Sequence, residues 1–438
     1  MLYRKIQQVI NQYFKSYNDY ILIIDGAQQV GKSFIIRYEG KLSFRNYVEL
    51  NMMDDKAGKR LFANVRGTED FYMRLSSVAG MKLGKKNDTL VFIDEIQAYP
   101  EMLTLLKFLK DEDRYTYIAS GSLLGVTLHK TLSIPGGRIN TIQMFPLDFE
   151  EFLWANGVGK EAINHIKEQF IQKKSLEDGL HQYIMDLFKN FLLVGGLPQA
   201  VNTFVSEQNV IKVRTIHKEI YNLYREDASQ YGVMEKLKIR KIYDLIPSNM
   251  ESRKKRLYFN QIEEKKASAA RNYTDEIDYL VSAGIAMEVR AISNPVFPLI
   301  ASARKNLLKL YFNDVGLLSF IFFKNNIMAI KESQCSVNLG SVYETVVATE
   351  LAAHGHSLFY YDNKQKGEVD FLIDDYDSLS VLPIEVKSGK DYTMHRALNR
   401  FMSNEDYAVK QAIVFSNERQ VYAEEKVIYM PIYMVMFV

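Results

Sequence analysis

The chain has 438 residues, 47% of them hydrophobic and 25% charged, and its 55 Lys and Arg nearly balance its 53 Asp and Glu, leaving a formal net charge of +2. That is a globular composition with material for two to four domains, and it excludes a bulk polycation, so any nucleic-acid contact has to come from local patches. One cysteine, Cys335, excludes both an intramolecular disulfide and a zinc site built on cysteines.

Residues 1–20 are polar and tyrosine-rich, without the apolar core of a signal peptide. No apolar run reaches spanning length, since 190–201 is interrupted by Gly195, Gly196 and Pro198. With the single cysteine, these features lead us to expect a cytoplasmic protein with no membrane partner.

Up to about residue 155, short apolar runs at 20–25, 46–50, 89–94 and 115–120 alternate with helical patterns at 31–38, 71–79 and 102–111. Continuous apolar strands separated by helices predict a parallel sheet covered on both faces. From 156 to about 230 the pattern is mostly helical. From 235 to 300 it reads helix, helix, helix and a short extended segment, the order of a winged helix. From about 335 it reads helix (339–353), three strands (357–361, 368–374, 382–387), helix (396–402) and strand (412–415). The expected domains are therefore 1–155, 156–330 and 331–438.

The first strand runs into Gly26-Ala27-Gln28-Gln29-Val30-Gly31-Lys32-Ser33, which fits G-x4-G-K-[ST] at every position. Its glycines let backbone N–H groups turn toward phosphate oxygens, and the helix beginning near Gly31 points its positive end at the same anion. Lys32 is placed to reach the β- and γ-phosphates and Ser33 to offer an oxygen to Mg2+. Phe34 follows on the helix and completes the expected ATP-binding segment.

The strand at 89–94 ends in Asp94 and Glu95. Asp94 is the expected Mg2+ partner through water, and Glu95 the group that polarises the attacking water. A strand lying in sequence between the two motifs, with Glu directly after Asp, separates the additional-strand ATPases from GTPase-like and kinase-like P-loop proteins. Gln97 could orient water or be a surface amide. Ser120 or Ser122, closing the next strand, could bond the water or the γ-phosphate, or form a turn of small residues. Arg138 is a candidate transition-state cation, in cis or from a neighbouring subunit; a solvated turn arginine is the other reading.

Taken together, these segments resemble the prokaryotic AAA-type ATP-binding proteins that carry a C-terminal domain of unknown function with a restriction-endonuclease-like core. The resemblance rests on GAQQVGKS, VFIDEIQ, ASGSLLG, GGRINTIQMFPLDFEEF, LVGGLPQAV, KLYFNDVGLLS and the pair GEVDFLI and IEVK, in the expected order from residue 20 to about 390. One departure is Ala119-Ser120, where that family often has a Thr before Gly-Ser. The resemblance implies an α/β fold with an AAA-type P-loop sheet, a helical and winged-helix middle, and a nuclease-like C-terminal domain.

Residues 367–373 and 384–387 look like the metal site of PD-(D/E)XK nucleases. Asp370 lies on one strand of a hairpin, and Glu385 and Lys387, two apart on the next, share a face. Asp370 and Glu385 are the expected Mg2+ ligands with a water, Lys387 the group that lowers that water's pKa or steadies the pentavalent phosphate, and Glu344 on the preceding helix an added carboxylate. In the middle region, a helix over 269–284 is the candidate recognition helix, offering Arg271, Asn272 and Thr274 to DNA while Ile277, Leu280 and Val281 pack inward. The run Arg253-Lys254-Lys255-Arg256 is placed to meet phosphates. His129, His354 and His356 make no metal constellation, and Glu350 with His354 is too few ligands for one.

The expectation is an ATPase using Mg2+ and coupled to DNA binding or processing, with a protein partner or a homo-oligomeric assembly as open options. The alternatives are a nucleotide-dependent switch with an inactive nuclease-like domain, and a nuclease whose ATPase module regulates assembly.

Overall fold

A computed structural model describes residues 1–122, 137–226, 233–252, 254–262, 272–324, 326–331, 339–389 and 391–438. His129, Arg253, Arg271, Cys335 and the first three positions of the candidate recognition helix lie outside the described residues. The chain divides into two compact units, one of residues 3–145 with 282–284, the other of 1–2, 146–281 and 285–438. Among the described residues, no helix is long and apolar enough to cross a membrane.

The first unit is built on strands β1 (Ile21–Asp25), β2 (Asn46–Asn51), β3 (Thr89–Asp94), β4 (Thr116–Gly121) and β5 (Ile139–Gln143). All pair in parallel, in the order β2-β3-β4-β1-β5. Helices α1 (Ile6–Lys15), α2 (Lys32–Ser43), α3 (Gly67–Ala79) and α4 (Pro100–Glu112) alternate with them. The β3 run Leu90-Val91-Phe92-Ile93 has no solvent-exposed surface. That is why it is apolar without alternation: a strand covered on both faces has no polar side to show. One core packs Ile21 and Ile23 with Val91, Ile93, Phe71, Leu75, Leu106 and Leu109. Because every strand runs the same way, loop ends cluster on two opposite edges of the sheet, and ligands belong at the carboxyl edge.

The second unit carries helices α5 (Phe149–Ala155), α6 (Lys160–Gln172), α7 (Asp178–Val194), α8 (Pro198–Glu207), α9 (Val210–Glu226), α10 (Val233–Glu251) and α11 (Thr274–Ser282). Strands β6 (Ala286–Ile292) and β7 (Ala303–Phe312) follow, then α12 (Val315–Phe323), α13 (Met328–Lys331) and α14 (Gly340–Ala353). It closes with β8 (Phe359–Asn363), β9 (Gly367–Asp375), β10 (Ser380–Val386), α15 (Arg396–Met402), β11 (Ala412–Ser416), β12 (Tyr422–Glu424) and β13 (Val427–Pro431).

The extended segment expected after the middle helices is an antiparallel hairpin, β6–β7, and β6 also pairs in parallel with β8 through Arg290 and Phe359. One eight-stranded sheet, β12-β13-β11-β10-β9-β8-β6-β7, therefore carries strands from both sides of the expected 330/331 boundary. The candidate recognition helix shortens to α11. Ile277 and Leu280 are buried, Val281 is only half-buried, and Asn272 and Thr274 are exposed, but Asp275 and Asp278 share the exposed surface. Two carboxylates there repel a phosphate backbone. The basic run is also spent inside the protein: Lys255 pairs with Glu344 and Arg256 with Asp362, leaving Lys254 exposed.

The break at Gly195-Gly196 is a buried turn held by Asp314, the N-cap of α12. Asp314 Oδ2 accepts from Gly196 N at 2.6 Å, and Oδ1 from Leu317 N at 3.2 Å. Gly195 has φ +68°, and a Cβ there would sit 2.1 Å from Asp314 Oδ1, so this position admits only glycine.

Candidate functional site

The loop between β1 and α2 turns on two glycines. Gly26 (φ +149°) passes so close to the next strand's end that a Cβ would lie 2.2 Å from the Met144 carbonyl. Gly31 (φ +100°) caps α2 in the left-handed region, and Gln29 also takes positive φ. This curvature needs Gly26 and Gly31 and leaves N–H groups facing inward at a helix N-terminus. Ala27 and Val30 are buried, while Gln28 and Phe34 are not; Phe34 is 58% exposed and stands at the rim.

Lys32 is buried, and its ammonium donates to the carbonyls of Gly26 and Ala27, each at 2.8 Å. Phosphate oxygens entering the loop would replace those two acceptors with charged ones. Ser33 Oγ donates to Asp94 Oδ1 at 2.8 Å, and Ser120 Oγ donates to the same oxygen. The other oxygen, Asp94 Oδ2, accepts from Asn51 Nδ2 at 3.3 Å and lies 3.7 Å from Arg37. A serine hydroxyl against a strand-end carboxylate is a donor set that suits Mg2+ held through water and phosphate, so the residues present fit that ion.

Glu95, just past β3, takes a left-handed backbone (φ 55°) that turns its side chain away from Asp94's partners. Gln97 Nε2 donates to Glu95 Oε2 at 2.5 Å and to Ser122 Oγ at 3.0 Å, and Ser122 Oγ lies 3.4 Å from Glu95 Oε2. The two hydroxyls thus divide: Ser120 belongs with Asp94, and Ser122 with Glu95 through Gln97. Sequence reasoning did not single out Asn51. Its signal is the β2–β3 register, which sets it opposite Asp94.

Arg138 is not at this site. It precedes β5, its carbonyl accepts from Ile21 N, and its guanidinium holds Asp111 at 2.9 Å and the Asp19 carbonyl at 3.3 Å. It marks the amino edge of the sheet, four strand steps or roughly 13 Å below the phosphate loop. The cis transition-state role is thereby corrected: parallel register carries the start of β5 to the wrong end.

The C-terminal carboxylates do converge, with more lysines than the motif contains. Lys387 Nζ donates to Glu385 Oε1 at 2.7 Å, and Asp370 Oδ2 accepts from Val386 N at 2.9 Å. Burial, then the neighbouring carboxylates Glu385 and Glu344, push Asp370 well above the usual carboxylate range. Burial likewise raises Glu385 against the pull of Lys387. Glu385 Oε2 is buried with no hydrogen-bond partner among the described residues. An orphaned oxygen between carboxylates that repel each other fits a cation, so Asp370 and Glu385 are the residues that would hold one. Glu344 does not fit that role. It accepts from Tyr311 at 3.2 Å and pairs with Lys255, and Lys255 and Lys309 together outweigh its burial and hold it below the ordinary value. Fully buried Lys309 lies 2.5 Å from Glu368 and 4.7 Å from the Tyr360 ring centre. Among the described residues, no three His, Cys, Asp or Glu gather as a ready metal cage.

The strand order with the phosphate loop after β1 and the acidic pair at the end of β3 defines a P-loop NTPase of the additional-strand type. Residues 18–153 match the family described as AAA domain, so this unit is an ATPase-type P-loop domain. Residues 185–326 match a domain of unknown function (DUF8612), and residues 339–435 match another (DUF4143). Among solved structures, the chain is similar to the Walker-type ATPase paby2304 of Pyrococcus abyssi, at 13% identity and TM-score 0.44, over 73% of this chain and 95% of that one. It is also similar to the S. cerevisiae Hsp104–ADP complex (12%, TM-score 0.28, 63% of this chain and 36% of that one) and to C. elegans PCH-2 (12%, 0.27, 45% and 58%). Among curated proteins none matches.

Proposed function

We propose that this protein binds ATP with Mg2+, hydrolyses it, and couples the cycle to DNA binding or processing by its C-terminal unit. The observation that carries the ATPase reading is the meeting of Ser33, Asp94 and Ser120 at the carboxyl edge of β1, β3 and β4. Lys32 exchanges its carbonyl acceptors for phosphate oxygens, and the loop amides hold the remaining charge. Mg2+, when bound, neutralises the phosphates and orders them for in-line attack. Glu95 takes up the proton side of the water attack once Gln97 yields its carboxylate, which makes Gln97 and Ser122 a latch on the base. With Arg138 at the opposite edge, any arginine completing the site in trans would come from another copy of the chain.

The DNA-processing part rests on Asp370, Glu385 and Lys387, where the unpartnered Glu385 oxygen supports cation binding and Lys387 stands beside it. Isothermal titration with Mg-ATP, turnover measurements and metal-dependent DNA cleavage test the two parts separately. Lys32→Ala should abolish ATP binding, and Glu95→Gln should bind ATP but hydrolyse it about 10²–10⁴-fold more slowly. Cleavage lost in Asp370→Ala and kept in Lys32→Ala would place the nuclease chemistry in the C-terminal unit. Turnover without cleavage under any metal would leave an ATP-dependent switch.

A further inference from the structure

The amino edge of the ATPase sheet carries a second concave site. Parallel strands gather there the segments before β1, β2, β3 and β4, and in those segments Lys and Arg outnumber Asp and Glu. They enclose a cavity of about 270 Å³. Its walls include Tyr13, Phe14 and Tyr17 at the end of α1, Phe44 after α2, and Tyr115 and Tyr117 at β4. Phe14 meets Phe44 edge-on at 5.0 Å, and Tyr13 stacks on Tyr20 at 5.8 Å, so the aromatic wall is packed in place.

Tyr17 is different. It is 77% exposed, and the ammonium groups of Lys86 and Lys110 stand over its ring at 5.3 and 5.2 Å. Asp113 takes both lysines, Lys110 at 2.9 Å, and so fixes two cations beside one open aromatic face with a net positive charge left over. A planar ring with exposed surface to stack on, and cations packed over it, is the chemistry that recognises a base and its phosphate. The cavity is slightly smaller than the roughly 300 Å³ at which drug-sized pockets begin, so it suits one unstacked nucleotide unit. A duplex keeps its bases stacked and cannot present one, whereas a single strand can.

We propose that this edge of the ATPase unit binds single-stranded nucleic acid, stacking one base on the exposed surface of Tyr17 and drawing its phosphate with the positive charge that Lys86 and Lys110 hold in excess of Asp113. The site lies at the sheet edge opposite the phosphate loop, so its occupation does not require the loop's residues. It also does not depend on the C-terminal carboxylates.

Fluorescence anisotropy of a labelled oligothymidylate of about twelve nucleotides, with the full chain, tests the proposal. Tyr17→Ala should weaken binding at least about fivefold, Tyr17→Phe should restore it, and Lys86→Ala should flatten the salt dependence by about one ion. ATP turnover and thermal midpoint should stay at wild-type values in all three. No binding by the wild type, or equal binding by wild type and Tyr17→Ala, would overturn the proposal. Displacement by thymidine monophosphate at equal nucleotide concentration would overturn it in favour of a mononucleotide site. Displacement by polyglutamate would reduce the surface to a general anion site. None of these outcomes bears on whether Lys32 and Glu95 turn over ATP.

Discussion

Replacing Lys309 by methionine tests how the C-terminal sheet tolerates its carboxylates. Lys309 has no exposed surface, and it faces Glu368 directly, with Glu344 and Asp370 close enough to act on its charge. Burial alone would lower its pKa, yet those three carboxylates hold it above the ordinary lysine value. Methionine keeps most of the stem volume and removes only the cation. Breaking a buried pair on one side costs about 3–5 kcal/mol, because the surviving charge is left without its partner. At about 2–4 °C per kcal/mol for a unit of this size, the thermal midpoint should fall by roughly 6–20 °C at pH 7. The pH dependence has a definite sign. A lysine with a raised folded pKa gives stability that is full below the unfolded value near 10.4, so wild type loses nothing from this group between pH 5 and 9. In the variant Glu344 and Asp370 lose a cation that favours their charged forms, so their folded pKa values rise and they oppose folding wherever they are ionised. The gap between wild type and variant should therefore narrow as pH falls toward 5. Calorimetry or chemical denaturation across pH 5–8 measures it. A variant as stable as wild type, or a gap that widens on acidification, would refute the reasoning.

Arg138→Ala should leave ATP turnover unchanged in dilute protein and cost no more than about 1 kcal/mol, the value of an exposed pair such as the one it makes with Asp111; a turnover loss that appears only as protein concentration rises would indicate action on a second copy. Asp314 is pushed up to about 6 by burial, despite the backbone N–H groups it accepts from. Its folded pKa lies above the usual carboxylate value, so its charge opposes folding as pH climbs from about 4 to 6, by up to about 3 kcal/mol. Relative to wild type, Asp314→Asn should flatten that stretch of the stability curve, and parallel curves for the two proteins would count against the assignment. Gly195→Ala, forced against Asp314 at positive φ, should lower the denaturation midpoint more than Gly179→Ala, where added Cβ meets nothing.

The parts of this fold that could be read from sequence are local. The strands expected at 20–25, 46–50, 89–94 and 115–120 are found within a residue of those bounds; β1 and β3 are buried apolar runs, as central parallel strands should be, whereas β2, at the sheet edge, alternates buried and half-buried residues. The phosphate loop and the Asp94–Glu95 pair each occupy a few consecutive residues, so spacing alone located them. What depends on register escaped. Arg138 read as a candidate transition-state cation, and only the pairing of β5 with β1 sends it to the other edge. Asn51 reaches Asp94 from the neighbouring strand, 43 positions away in the chain. Lys255 looked like a phosphate contact and is instead drawn to Glu344, 89 positions along the chain. β12 and β13 were not foreseen: three residues make a weak strand, and the apolar end of the chain carries no alternation to declare it.

The bond between β6 and β8 reaches into the chain's ancestry. The two segments of unknown function, 185–326 and 339–435, meet in a single sheet, with β6 and β7 supplied by one and β8 to β13 by the other. A gene fragment coding for either would bring into the world a row of bare amides waiting for a stranger to pair with. Recombination between residues 326 and 339 is thus a poor place to trade parts, and the two segments should travel through evolution as one heritable block.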